Sequence, residues 1–400
     1  MPTSLAHSQA AQSNYYQRPP DERFPTLDAL IAHARNVREH CAERVYSLRD
    51  LHAEPNGRGV DLHSLRGAAP LTHWSFGQLT RTVGAPAGYL RSLPAPLAAD
   101  CINHGISQTP DGTRANVLIR VANGTDPIVR ACTSDTYGRV WDEVLYSGFR
   151  DTVARHTNAY GHDWIAPPTW TGEPAGFYAG DRDSFVIMID GGSIVPDPSG
   201  ERAAPLVVAG PAPFAGLASP GPGSTSPAGQ DARTLYRGIL MRNSEVGAAG
   251  IIIESILFRA ICGNHLLMGA VLDSQFRRRH VGDASNATIQ EIGRIALKWT
   301  QRSAAADAAL IQSLISHEIA VSKDAVISEL RALGATAEQA THAYETAERT
   351  EAISPRSYWG IAQGITRDAQ TETDGYQNDR YDLDRLAAQV LARGAKLVRA

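Results

Sequence analysis

An α+β fold is expected from three features of this 400-residue chain: an antiparallel β-sheet core, N-terminal helices and a C-terminal helical region. Apolar, β-prone runs flank an Asn-Gly turn near residue 123, which is a hairpin signal. Further β-prone runs lie at 184–190, 235–242 and 251–262. Apolar residues at helical spacing occupy much of the first hundred residues and the stretch from 286 onward.

The elements follow in order. Residues 1–24 are polar, carry Pro19-Pro20 and read as a flexible arm. Leu27, Leu30, Ile31, Ala34, Val37 and Cys41 keep a 3.6 spacing behind the N-cap Thr26, so a helix is expected from there to about Leu51. Residues 53–70 read as loop. A helical region from His73 to about Asn103 is cut by Gly84-Ala85-Pro86 and by Pro94 and Pro96 into short pieces. The hairpin pairs 116–121 with 128–132, and a helix is expected from about Val140 to Ala154.

Residues 196–231 hold eight of the 23 prolines and six of the 35 glycines. That composition reads as a long mobile insertion. Strand-like sequence lies on both sides, so the insertion divides a hairpin and not two domains. The run 251–262 fits either a strand or a helix; its three consecutive Ile favour a strand. From 286 to 349 the pattern is helical, with caps such as Ser322 and Thr336. Two more helices are expected over 357–397, around a polar loop at 374–379. The expected division is a flexible arm at 1–24, a core domain at 25–285 and a helical region at 286–400.

Composition excludes several function classes. Acidic residues outnumber basic ones 42 to 38, a formal charge of −4, so the chain is not a uniformly basic nucleic-acid binder. The basic residues are 35 Arg and only three Lys, and none of the Lys follows a Gly, so no Walker A phosphate loop exists. Cys41, Cys101, Cys132 and Cys262 contain no C-x-x-C pair. The N-terminus lacks the basic and apolar regions of a signal peptide. The longest apolar stretch, 246–262, is interrupted by Glu254 and Arg259. A cytoplasmic protein is expected, with no membrane association, cofactor or metal.

Residues 231–300 carry nine basic against six acidic residues, whereas the last hundred carry eleven against fourteen. The basic excess points to Arg242, Arg259, Arg277, Arg278, Arg279 and His280 as a nucleic-acid-binding set. Arg forks suit phosphate oxygens, and a strand with flanking Arg can track a single-stranded backbone. A second feature is the turn Arg242-Asn243-Ser244-Glu245-Val246-Gly247, where Asn and Ser bond their own backbone and Gly permits a positive φ. It reads as a polar loop facing a ligand or as a structural turn held by a salt bridge. Cys262, with Asn264 and His265 after it, reads better as a buried thiol before a turn than as a nucleophile. Ser134-Asp135-Thr136-Tyr137 is a strand-to-helix junction, suited to capping.

Together these motifs resemble a family. R-N-S-E-V-G at 242–247, F-R-A-I-C-G-N at 258–264 and R-R-H-V-G at 278–282 are similar to the phage/plasmid-like protein family, built on a domain of unknown function. Trp74-Ser75-Phe76-Gly77-Gln78-Leu79, Val129-Arg130-Ala131 with Ser134 to Tyr137, and Tyr358-Trp359-Gly360 with Thr366 to Gln370 extend the resemblance over roughly 70–390. The insertion is longer than the family needs, and His265 stands where the family tends to have Gly. The resemblance implies a protein of mobile elements, whose members sit among genes for DNA processing and anti-restriction.

Two functions follow as expectations. One is ATP-independent binding or annealing of single-stranded DNA by a homo-oligomer, since annealing needs charge screening and an ordered backbone but no hydrolysis. The other is a protein-binding accessory or anti-defence module, in which acidic residues of the tail (Asp374, Asp379, Asp382 and Asp384) meet a basic host or phage partner.

Overall fold

The computed structural model describes residues 22–57, 59–64, 67–121, 126–160, 164–166, 176–196, 234–259, 264–267, 275–281, 284–351, 353–371 and 377–399. The fold is α+β, with eleven α-helices and three antiparallel sheets among the described residues.

The chain enters through Arg23 and Phe24, which bond the backbone near Tyr178 and Phe177. Helix α1 spans Leu27–Glu39; Thr26 caps it by accepting the Ala29 amide at 3.0 Å. It buries Leu27, Leu30, Ile31, Ala34 and Val37, the residues whose spacing predicts it. The helix stops twelve residues short of Leu51. Strand β1 (Cys41–Ser47) follows and pairs antiparallel with β5 (Arg114–Arg120), Cys41 opposite Arg120. Sheet pairing with a distant segment here outweighs local helical propensity.

Residues 53–70 are likewise no simple loop. Strands β2 (His52–Asn56), β3 (Gly59–Ser64) and β4 (Gly67–Pro70) make a meander. Its inward residues Ala53, Val60, Leu62 and Ala69 alternate with more exposed ones, a period-2 pattern short enough to escape notice. Helices α2 (His73–Thr82), α3 (Ala87–Ser92) and α4 (Ala95–Gln108) come next, parted at the expected Gly and Pro positions. Strand β6 (Ile128–Ser134) completes the hairpin with β5, and the three-stranded sheet runs β1-β5-β6. These elements enclose their own core, built on Leu48, Leu62, Leu79, Ile102 and Val117.

Helix α5 (Asp142–Tyr160) leads into the main sheet. That sheet orders β12-β11-β10-β9-β7, with β8 on β9 and β13 on β11. Its strands are β7 (Trp164–Ile165), β8 (Phe177–Ala179), β9 (Ser184–Pro196), β10 (Thr234–Asn243), β11 (Ile251–Arg259), β12 (Asn264–Leu267) and β13 (Gln275–Arg278). The long insertion, from 197 to 233, lies outside the described residues, but β9 and β10 at its ends are antiparallel partners. The run beginning Ile251-Ile252-Ile253 is a central strand; all three Ile are buried because both faces of the sheet are covered.

Among the described residues from 284 on, the helices are α6 (Ala284–Thr300), α7 (Ala304–Ser316), α8 (Lys323–Ala332), α9 (Ala337–Thr350), α10 (Tyr358–Thr371) and α11 (Gln377–Arg399). Ser322 and Thr336 cap as expected, Thr336 in a full capping box with Gln339. Gly364 lets α10 lie on α9, since a Cβ there would meet the Ala343 carbonyl. The apolar cluster of α1, α5 and one face of the main sheet continues through Ile292, Ile311, Val326, Trp359 and Leu391. The core is therefore continuous across residue 285, where the sequence suggests a division. Among the described residues no helix is long and apolar enough to cross a membrane.

Candidate functional site

The turn Arg242 to Gly247 sits where the N-terminal core meets the main sheet. Gly247 has φ +78°, the left-handed region its residue type allows. Each residue before it is buried and engaged. Val246 offers its carbonyl to Trp74 Nε1 at 3.0 Å and to Gln78 Nε2 at 2.7 Å. Gln78 Oε1 in turn accepts the Cys132 amide at 3.0 Å. Tyr137 donates its hydroxyl to the Ser244 carbonyl at 2.8 Å, and Ser244 Oγ accepts the Ala248 amide at 2.8 Å. Thus α2, β6 and the residues after β6 all grip one turn.

Beneath it lies a buried polar cluster. Glu245, 4% exposed, pairs with Arg130 Nη1 at 3.0 Å and accepts the Asp142 amide at 3.1 Å. Asp142 Oδ1 accepts from Ser184 Oγ at 2.6 Å and from Asn243 Nδ2 at 2.7 Å. Asn243 also donates to the Val140 carbonyl, and Tyr146 shares a 2.6 Å bond with Ser184. Burial, and then the neighbouring Glu245 charge, push the Asp142 carboxyl up to about 8. The two carboxyl groups share one buried cluster, with Arg130 paired to Glu245. The turn is thus a clasp between two cores, with a salt bridge inside it.

The predicted nucleic-acid set does not gather in one groove. Arg242 and Arg277 both stand opposite Ile252 in the sheet register, so they share a face. Arg242 is buried and pairs with Asp183 at 3.2 Å; Arg277 pairs with the buried Glu254 at 3.3 Å. Arg278 alternates to the other face, and Arg279 lies exposed past the strand end. Arg259 ends β11, its backbone paired with Leu235 and Asn264. His280 is 4% exposed, its ring stacked on Tyr137 at 5.0 Å, and burial pushes it down to about 4. Cys262 lies outside the described residues. Of the acidic tail residues, Asp384 is buried and Asp374 lies outside the described residues.

Open space with unpaired positive charge lies on the other side of the clasp. Two adjoining clefts, of about 550 Å³ and 670 Å³, share His73, Trp74 and Arg182. The first also reaches Thr72, Arg130 and Asp181. The second runs past Gln78 to Arg81 and Arg91. Arg81, Arg91 and Arg182 are exposed, and none has a carboxylate within salt-bridge distance among the described residues. Arg91 instead donates to the His73 carbonyl at 2.8 Å, and the Arg182 guanidinium lies 5.9 Å from the Trp74 ring centre. Burial, followed by the Arg91 and Arg182 charges, lowers the His73 pKa. Among the described residues no three His, Cys, Asp or Glu group into a metal site.

Sequence reasoning missed this cluster because its members come from α2, α3, β6 and the bend before β9. None of these segments is locally basic. The available signal was Trp74-Ser75-Phe76-Gly77-Gln78-Leu79, whose Trp74 and Gln78 both reach the clasp and line the clefts. Comparison with protein-family models, with curated proteins and with solved structures gives no match.

Proposed function

We propose that this chain binds single-stranded DNA along the joined clefts, and anneals it without nucleotide hydrolysis. The observation that carries this reading is the set of three exposed, carboxylate-free Arg around one aromatic residue. Arg237, Arg242 and Arg277 of the main sheet, by contrast, each sit against an acid. Guanidinium groups hold phosphates, and the Trp74 ring gives a stacking face once Arg182 turns from it to a phosphate. The resemblance to a mobile-element family agrees with a role in DNA processing. Annealing brings two strands together, so the reading includes self-association, and it places the protein in the cytoplasm, where such DNA is exposed.

Gel shifts with single- and double-stranded oligonucleotides at several salt concentrations test it. Single strands are expected to bind below about 10 µM at low salt, with affinity falling as salt rises. The triple substitution Arg81→Ala, Arg91→Ala, Arg182→Ala is expected to weaken binding at least about tenfold and to flatten the salt slope by roughly two. Absence of salt-sensitive binding overturns the proposal. Light scattering with and without oligonucleotide reads the oligomeric state.

A further inference from the structure

The first cleft has a floor that differs from its rim. Thr72 is the N-cap of α2 and spends its hydroxyl on the Ser75 amide at 3.1 Å. The Phe76 amide bonds the Thr72 carbonyl at 2.9 Å. The amides of His73 and Trp74, the first two of the helix, have no acceptor among the described residues. The positive end of a ten-residue helix therefore opens into the cleft with two free donors.

The independent observation is Arg130. Its side chain is 7% exposed and lines the same cleft. Among the described residues Nη1 is engaged by Glu245 at 3.0 Å and by Cys41 Sγ at 3.7 Å. The buried Nε has no partner among the described residues. A buried guanidinium with unspent donors is costly unless something completes its shell. Arg182, its guanidinium 5.9 Å from the Trp74 ring, lines the same cleft with no carboxylate partner among the described residues, and the exposed Asp181 is the one acidic residue of the described lining.

We propose that the floor of this cleft is a seat for a single phosphate group, held by the N-terminus of α2 together with Arg130 and Arg182. His73, Trp74, Arg130 and Arg182 all line this one cleft, whose volume of about 550 Å³ takes a phosphate and part of its nucleotide. Glu245 beneath Arg130 fixes that guanidinium and makes the seat a preformed one. The strand as the source of the phosphate rests on the single-stranded DNA reading; the seat itself does not, since free phosphate offers the same oxygens.

The full-length chain is titrated with a labelled oligothymidylate of about twelve nucleotides, within the span such grooves cover. Inorganic phosphate is the second probe, added at constant ionic strength set with chloride so that screening stays fixed. Phosphate is expected to displace the oligonucleotide and to raise the melting temperature, where the same ionic strength of chloride does neither. Arg182→Ala is expected to raise the Kd for both probes about tenfold. Arg130→Met alone would leave the Glu245 charge buried and unpaired, so the double variant Arg130→Met, Glu245→Gln is used, and it is expected to do the same. Arg279→Ala, an exposed residue past the end of β13, is expected to change neither. If the oligonucleotide binds but phosphate neither competes nor stabilises, the seat is overturned and the strand reading stands. If phosphate binds through Arg182 and no oligonucleotide does, the seat stands and the strand reading falls. If neither probe binds, both fall.

Discussion

The clasp at Arg242 to Gly247 and the clefts beside it use the same residue types in opposite ways. In the clasp, Arg130, Glu245, Asp142 and Asn243 are buried and bonded to one another. At the clefts, Arg81, Arg91 and Arg182 are exposed, with no carboxylate within salt-bridge distance among the described residues. A motif rich in polar side chains therefore marks the joint of the molecule, while its neighbours with less distinctive sequence carry the free charge. Burial separates the two roles. A charge taken from water must be answered within the protein, and a charge left in water remains available to a ligand.

The sharpest way to break that contrast is to remove one partner inside the clasp. Glu245→Ala leaves the Arg130 charge buried and the Asp142 amide unsatisfied; a loss of about 3–5 kcal/mol is expected in urea denaturation. A loss below about 1 kcal/mol would show that the clasp does not join the two cores.

Next in size is the pH dependence of Asp142. Its folded pKa is raised above the model-peptide value, so the folded state keeps a proton that the unfolded chain releases. The associated stability is complete below pH 4 and is lost as pH rises toward about 8. Asp142→Asn keeps an oxygen for Ser184 and Asn243 and carries no charge. Thermal unfolding of this variant is expected to be flatter between pH 5 and 8, and relatively more stable at pH 8, by about 2–4 kcal/mol at most. An unchanged pH profile would show that burial does not raise the Asp142 pKa in the folded chain.

His280 works in the opposite direction. Its folded pKa lies below 6.5, so its stability is present above pH 6.5 and is lost as pH falls toward about 4. His280→Gln is expected to reduce the acid-side loss by about 1–3 kcal/mol, read by the same unfolding measurement. The smallest expected effect is at the clefts. Arg81→Ala and Arg182→Ala should shift stability by less than about 0.5 kcal/mol while weakening strand binding. A large loss of stability there would mean that those arginines, too, are structural.

Much of the fold is legible along the chain. Apolar spacing marks α1, the Asn-Gly turn marks the β5–β6 hairpin, and Ser322 and Thr336 mark the starts of α8 and α9. The sheet strands on either side of the insertion are legible too, because β-branched runs have few alternatives. What escapes is β1, whose residues continue a helical pattern until β5 offers them a partner, and the short meander β2 to β4. The 242–247 turn is legible as a turn held by a salt bridge, but the partner of Glu245 is not. That partner is Arg130, from 115 residues away, while the nearer Arg242 pairs with Asp183.

Local chemistry is therefore what the sequence by itself determined. Caps, turns, periodicities, the missing nucleotide loop and the polar 242–247 motif all depend on neighbours a few residues apart. The tertiary structure alone decided which charges are spent and which remain. Arg242 and Arg277 met Asp183 and Glu254, while Arg81, Arg91 and Arg182 met none among the described residues. The physical reason is that a charge's availability depends on its burial and on the nearest opposite charge within a few ångströms, and both are set by segments distant in the chain.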